Sequence, residues 1–191
     1  LDDDCPFVMV LNNDTVVAPN LVSLLMETMQ SDEEIAVVSG AIYYLSDPGV
    51  IWSAGGSIDW RTGRVDSPHV DRGDETLPIQ PFGVDHVSGC CMLIRSIALR
   101  AVGLLDPRFF MYYEETEWCV RFTQAGYRIM VNPHARLWHD INPKAQEGSP
   151  YVAYYMTRNH LLFLRATHAP LRAWASTLNW QLRTLISLYV R

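Results

Sequence analysis

Phe7-Val8-Met9-Val10-Leu11 runs directly into Asn12-Asn13-Asp14-Thr15, and this junction decides the fold. Five consecutive apolar residues read as a short strand buried on both faces. Pro19-Asn20 then opens a helix, with Asn20 as its cap and Leu21, Leu24, Leu25 and Met29 on one face. Ile35 to Val38 reads as a second buried strand. Strand, helix and strand in that order predict an α/β fold with a mostly parallel sheet flanked by helices. In such sheets ligands collect beyond the carboxyl ends of the strands, which sets Asn12, Asn13 and Asp14 at a ligand-facing edge. The competing reading of the same residues is a polar turn that enters a helix.

Working outward, the chain turns irregular from Ile42 to Pro81, with a hairpin expected over Ser57 to Val65 around Thr62-Gly63. Trp52 and Trp60 fall in this stretch as candidates for stacking on a sugar ring or for packing. Apolar sequence resumes at Val84 and runs to Ile94, with Gly89 where close backbone approach is expected. Ser96 is placed to cap a short helix that Gly103 ends. Phe110-Met111-Tyr112-Tyr113-Glu114-Glu115-Thr116-Glu117-Trp118-Cys119-Val120-Arg121 then carries three carboxylates into the first turn of a helix, whose apolar residues include Trp118, Cys119 and Phe122 and whose cap is Gly126. Acids there complement a helix dipole, and Glu117 reads as a solvated helix residue. Tyr127 to Val131 and Ala135 to His139 read as two strands separated by an Asn132-Pro133 turn, leaving His139 at a strand end. Asp2 to Asp4 read as a solvated turn.

A chain of 191 residues, 49% hydrophobic, is long enough for one substantial core. Cys5, Cys90, Cys91 and Cys119 show no C-x-x-C spacing and read as reduced thiols of a cytoplasmic protein. No uninterrupted apolar stretch approaches the ~18 residues of a membrane span, so the expectation is a soluble protein or one peripheral at the inner face of the cell membrane. All 21 acidic residues precede residue 148, and no acid follows it. That polarity predicts a body, residues 1–150, that handles cations, and an amphipathic helical tail, 151–191, that meets an anionic surface. It argues against nucleic acid, whose phosphates the body would repel.

Asp14 and His139 together suit Mn²⁺ or Mg²⁺, with positions left for substrate phosphates. No glycine-rich phosphate loop is present, so a diphosphate would be held mainly through the cation, and no G-x-S-x-G elbow points to a serine hydrolase.

The order of these motifs resembles family 2 glycosyltransferases of the GT-A fold, particularly bacterial rhamnosyl and galactofuranosyl transferases of the cell envelope. The resemblance rests on Leu11-Asn12-Asn13-Asp14-Thr15, Gly89 to Arg95, Phe110 to Arg121, Trp138-His139 and Tyr154-Tyr155-Met156-Thr157-Arg158-Asn159. It implies that Asp14 and His139 are metal ligands, that Asn12 and Asn13 contact a nucleotide-diphospho-sugar, that Gly89 and Glu114 line the acceptor side, and that Glu115 is the catalytic base. It also implies a glycan or lipid-linked glycan acceptor, and strands upstream of Leu1 that hold the nucleotide base. Two positions depart from the common pattern: Asn12 stands for an Asp, and Glu115 for an Asp. The function expected is a metal-dependent inverting glycosyltransferase; the alternatives are a catalytically silent binding module of the same fold or a nucleotidyltransferase. In the tail, Leu171, Trp174, Ala175, Leu178, Leu182, Leu185, Ile186 and Tyr189 share one helix face, which suits a membrane surface, the body of the domain or a homodimer.

Overall fold

The computed structural model describes residues 5–141 and 149–189. Asp2 to Asp4 and Arg191 therefore lie outside the described residues, as do the side chains of Leu185 and Tyr189. Nine strands and five α-helices are found among the described residues. The central sheet is ordered β1 (Phe7–Leu11), β8 (Cys91–Arg95), β3 (Ile35–Tyr44), β9 (Arg128–His139) and β2 (Thr15–Val17). Two further strands join it: β4 (Ile51–Ser53) pairs with β3 and β7 (Phe82–Gly83) with β9. The expected hairpin forms as a separate ribbon of β5 (Ser57–Asp59) and β6 (Arg64–Asp66).

The mixed α/β architecture agrees with the sequence, but the expected mostly parallel pairing does not hold. The single parallel ladder among the described residues joins β3 to β9. The reason lies in β8, which enters the sheet between β1 and β3 and runs antiparallel to both. β1 and β3 do point the same way, as a β-α-β crossover requires, but they are not neighbours.

Helices cover both faces of the sheet. α1 (Leu21–Gln30) buries Leu21, Leu25 and Met29 against Val38, Ile42, Leu93 and Leu137. On the opposite face Val37, Ala41, Tyr43, Met92 and Ile94 meet Ala98 and Leu99 of α2 (Ser96–Val102) and Trp118, Cys119 and Phe122 of α3 (Glu114–Gln124). Covered on both sides, β3 is buried at every residue, and each fully buried aliphatic side chain contributes about 1.5–3 kcal/mol. A third cluster joins Ile58 and Phe109 to Val120 of α3, Phe163 and Leu164 of α4 (Pro150–Ala166) and Ala173 of α5 (Leu171–Tyr189).

Several local expectations are revised. Asn132-Pro133 does not end a strand: β9 continues through it by a bulge, since Gly40 pairs with Asn132 and Ala41 already with Arg136. The bulge is accommodated by Gly40, where a Cβ would stand 2.1 Å from the Ala135 carbonyl oxygen. Ser96 is the first residue of α2 rather than its cap, and its buried hydroxyl has no partner among the described residues. Thr15 to Val17, for which the sequence suggested no element, pair with Leu137 to His139 as β2.

Candidate active site

A cleft of about 680 Å³ opens at the carboxyl ends of β1 and β9 and the amino end of β8. Its walls include Asn12, Asp14, Trp52, Gly89, Glu114, Glu115 and His139. The antiparallel entry of β8 is what brings Gly89 there, because Asn12 N–H donates to the Cys90 carbonyl at 3.0 Å just beyond the β1–β8 ladder. Of the seven residues singled out in the sequence, six meet in this cleft. Asn13 does not; it stays on the exposed turn.

On one side, Asp14 Oδ1 lies 3.2 Å from His139 Nε2, and Asn12 Nδ2 lies 3.4 Å from the same nitrogen. Pairing of Thr15 with His139 across β2 and β9 sets this contact. The imidazole is buried, its ring edge-on to Trp52 with centroids 4.6 Å apart, whereas the Asp14 side chain remains 49% exposed. One carboxylate oxygen and one imidazole nitrogen converging at the edge of an open cleft fit a hard or borderline divalent cation that keeps other positions for ligand oxygens and water. No group of three or more His, Cys, Asp or Glu side chains suited to a metal is assembled among the described residues.

Across the cleft stand Glu114 and Glu115 at the start of α3. Oε2 of each is buried and meets no hydrogen-bond donor among the described residues. The two carboxyl groups instead contact each other, an arrangement that is favourable only with a proton between them. Burial, reinforced by the charge of Glu114, raises Glu115 to about 7. Glu114 is raised too, mainly by burial. Gly89 lies beside Glu115: a Cβ there would stand 3.7 Å from Glu115 Cβ, an ordinary contact rather than the close approach expected.

Glu117 is a correction. It is 5% exposed rather than solvated, and binds Arg121 through both oxygens at 3.0 Å. Arg121 in turn donates to the carbonyls of Val102 at 2.6 Å and Leu104 at 2.8 Å, tying α3 to the end of α2. Trp60 is likewise a packing residue, stacked on Phe163 at 6.0 Å, while Trp52 lines the cleft. Sequence reasoning did not single out Ser88, Trp118 and Asp140, which also line it. Nothing but the folded placement of β8, α3 and the end of β9 would have found them. A smaller cavity of about 440 Å³ beside the hairpin has one acid, Asp85, already engaged by the Ile58 N–H at 2.7 Å.

Residues 3–158 match a family described as glycosyltransferase like family 2. The chain is 35% identical over 78 residues to dTDP-rhamnosyl transferase RfbF of Shigella flexneri, covering 37% of this chain and 26% of that protein. It is 32% identical over 108 residues to N-acetylglucosaminyl-diphospho-decaprenol L-rhamnosyltransferase of Mycobacterium tuberculosis, covering 55% of this chain and 34% of that protein. The chain thus spans only a minor part of the length of these relatives. A crystal structure of GalNAc-T7 with UDP, GalNAc and Mn²⁺ superposes with a TM-score of 0.60 at 17% identity, over 84% of this chain and 31% of that one, which shows a shared GT-A-like fold. With the family match running through most of its length, this chain belongs to the glycosyltransferase-like family 2.

Proposed function

We propose that this chain carries the acceptor-activating side of a metal-dependent, inverting glycosyltransferase that moves a sugar from a nucleotide-diphospho-sugar to a glycan or lipid-linked glycan. The observation that carries the reading is the placement of Glu115, a buried carboxyl raised to about 7, in one cleft with the Asp14–His139 pair. A base poised near the working pH is mostly free to accept a proton yet still basic enough to take one from an attacking hydroxyl.

In this reading Glu115 accepts the proton of the acceptor hydroxyl as its oxygen forms the new bond to the anomeric carbon. The bond from that carbon to the diphosphate oxygen breaks in the same step, and the electron pair leaves with the diphosphate. Attack from one face with departure from the other inverts the anomeric configuration. Glu114 holds its neighbour in a pair that loses its protons stepwise, and Asn12 offers its amide to the donor. Asp14 and His139 would hold Mn²⁺ or Mg²⁺, which when bound supplies Lewis-acid stabilisation of the departing diphosphate. Membership of the family and the two rhamnosyltransferase relatives make dTDP-L-rhamnose the first donor to assay.

The decisive experiment is Glu115→Gln in the intact protein. Transfer should fall roughly 10²-fold to 10⁴-fold while donor binding, measured by calorimetry, stays near normal. Near-normal turnover would sink the assignment.

The reading extends to α5. Its buried residues are Ala173 and Thr177, whereas Leu171, Leu178, Leu182 and Ile186 of the apolar stripe are exposed, and Trp180 with them. Trp174 of the stripe packs against the third core, whereas these exposed members face away from the domain. α4 and α5 carry arginines and no acid, so an anionic lipid surface is the occupant that their charge favours. No helix among the described residues is long and apolar enough to cross a membrane.

A further inference from the structure

The segment that delivers Glu114 and Glu115 is strained. Phe110, Tyr112 and Tyr113 have φ of 63°, 66° and 71°, left-handed values that bulky aromatic residues rarely adopt. Tyr113 is also the residue from which α3 starts. Such a conformation persists only where its surroundings over-determine it, and observed strain of this kind is a pointer to function.

The carbonyls of this turn are gathered by one side chain from far along the sequence. Asn159 of α4 is fully buried, and its Nδ2 donates to the carbonyls of Phe109 at 2.7 Å, Met111 at 2.6 Å and Tyr112 at 2.9 Å. One amide with two hydrogens thus serves three carbonyls of the strained turn, sharing them between acceptors. The orientation of the amide is fixed from behind: Arg158 Nη1 donates to Asn159 Oδ1 at 2.6 Å and to the Arg108 carbonyl at 2.9 Å. A flipped amide would aim its oxygen at three carbonyl oxygens and its hydrogens at a guanidinium. The next residue of α4, His160, stacks on the Tyr113 ring at 5.4 Å with an 8° tilt, and Phe163, about one turn on, packs on the same ring at 5.5 Å.

The clamp bears on the acids through the backbone that leads into them: among the described residues the buried Oε2 atoms of Glu114 and Glu115 accept from no donor, and the carboxyl groups otherwise meet each other and the first backbone N–H groups of α3. We propose that Asn159, oriented by Arg158, is the positioning residue that holds the 109–113 turn in its strained form and thereby sets Glu114 and Glu115 in the cleft. α4 is then part of the working site rather than an appendage to it. The catalytic weight of this assignment rests on the reading of Glu115 as the base, but its test does not.

The test is made on Asn159→Ala, with Arg158→Gln as a milder second variant whose exposed side chain makes it safe for folding. Hydrogen–deuterium exchange is followed in peptides across 109–118, with peptides across β3 as the internal standard, and the Glu115 carboxyl is titrated by ¹³C NMR. Exchange should rise across 109–118 and not in β3, and the carboxyl should titrate closer to an ordinary glutamate as the turn relaxes and water reaches it. Arg158→Gln should show both changes in weaker form. Unchanged exchange and an unchanged titration in both variants would overturn the proposal, as would faster exchange throughout the fold with the Glu115 titration in place. If Asn159→Ala does not fold, Arg158→Gln decides alone by the same two readings. Glu115→Gln tests the base independently: a clamp confirmed by exchange alongside an active Glu115→Gln enzyme would leave the clamp standing and remove the catalytic reading.

Discussion

Asp14 Oδ1 and His139 Nε2 stand 3.2 Å apart although they come from opposite ends of the sheet's sequence, and pairing of β2 with β9 holds them there. In the proposed function, a carboxylate and an imidazole at that separation, with Asn12 beside them, would leave a cation bound there to be completed by the substrate. Asp14→Ala and His139→Ala should each weaken Mn²⁺ binding, read by electron paramagnetic resonance of the free ion. Losing one of two protein ligands should weaken binding at least as much as losing an outer-shell partner, on the order of 10-fold to 100-fold. Binding that is indifferent to both substitutions would remove the metal from this edge of the cleft.

The pH behaviour of Glu115 follows from its upward shift to about 7 and from the parallel rise in Glu114. With Glu115 as the proposed base, turnover should climb as pH rises through about 7, because a base must be deprotonated to act. Stability should move the other way. A carboxyl raised in the folded state stabilises the fold fully below its unfolded value, and that contribution is lost as pH rises through the folded one. From pH 5 to pH 8 the fold should lose roughly 1–3 kcal/mol from Glu115, and Glu115→Gln should recover part of it at pH 8. Urea unfolding at both pH values measures the difference; a variant equally stable relative to the parent at both would contradict it.

Much of this site was legible because its residues sit where strands and helices end. Leu11 to Asp14, His139 and the acids opening α3 are all marked by a change from apolar periodicity to polar residues, which a sequence displays directly. What stayed hidden depends on pairing. β2 is three residues long and exists because β9 runs beside it, so Thr15 to Val17 offer no periodicity of their own. Pro133 looked like a breaker, yet Gly40 opposite makes room for a bulge that carries β9 past it. Glu117 gave no sign of burial, because its partner contacts reach the last turn of α2 through Arg121. Asn159 is a polar residue in a helix until the turn that it grips is seen.

Gly40 supplies a stability test of that bulge. Its missing Cβ would lie 2.1 Å from the Ala135 oxygen and 3.0 Å from the Ala135 carbon, backbone atoms that cannot swing aside. Gly40→Ala must therefore push β9 away from β3 or flatten the bulge, in the centre of the sheet. We expect a loss of about 4 kcal/mol or more, or failure to fold, in urea titrations. Destabilisation within ~0.5 kcal/mol, the range of ordinary surface substitutions, would mean that the bulge is not fixed as described.

The outward face of α5 gives the last test. Deleting the helix is a poor probe, since Ala173 is buried in the third core and Thr177 donates to the Thr62 carbonyl at 3.3 Å. Leu178 and Leu182 are 50% and 57% exposed, so Leu178→Asp with Leu182→Asp alters the stripe without touching the core. The parent should sediment with anionic phosphatidylglycerol vesicles at low salt and less so at high salt, since each arginine near such a surface contributes about 1 kcal/mol of screened attraction. The double variant should stay in solution with an unchanged melting temperature. A parent that ignores vesicles but elutes as a dimer, with the variant monomeric, would assign the same face to a second copy of the chain. Equal sedimentation with neutral and anionic vesicles would mean that the arginines are not what the surface reads.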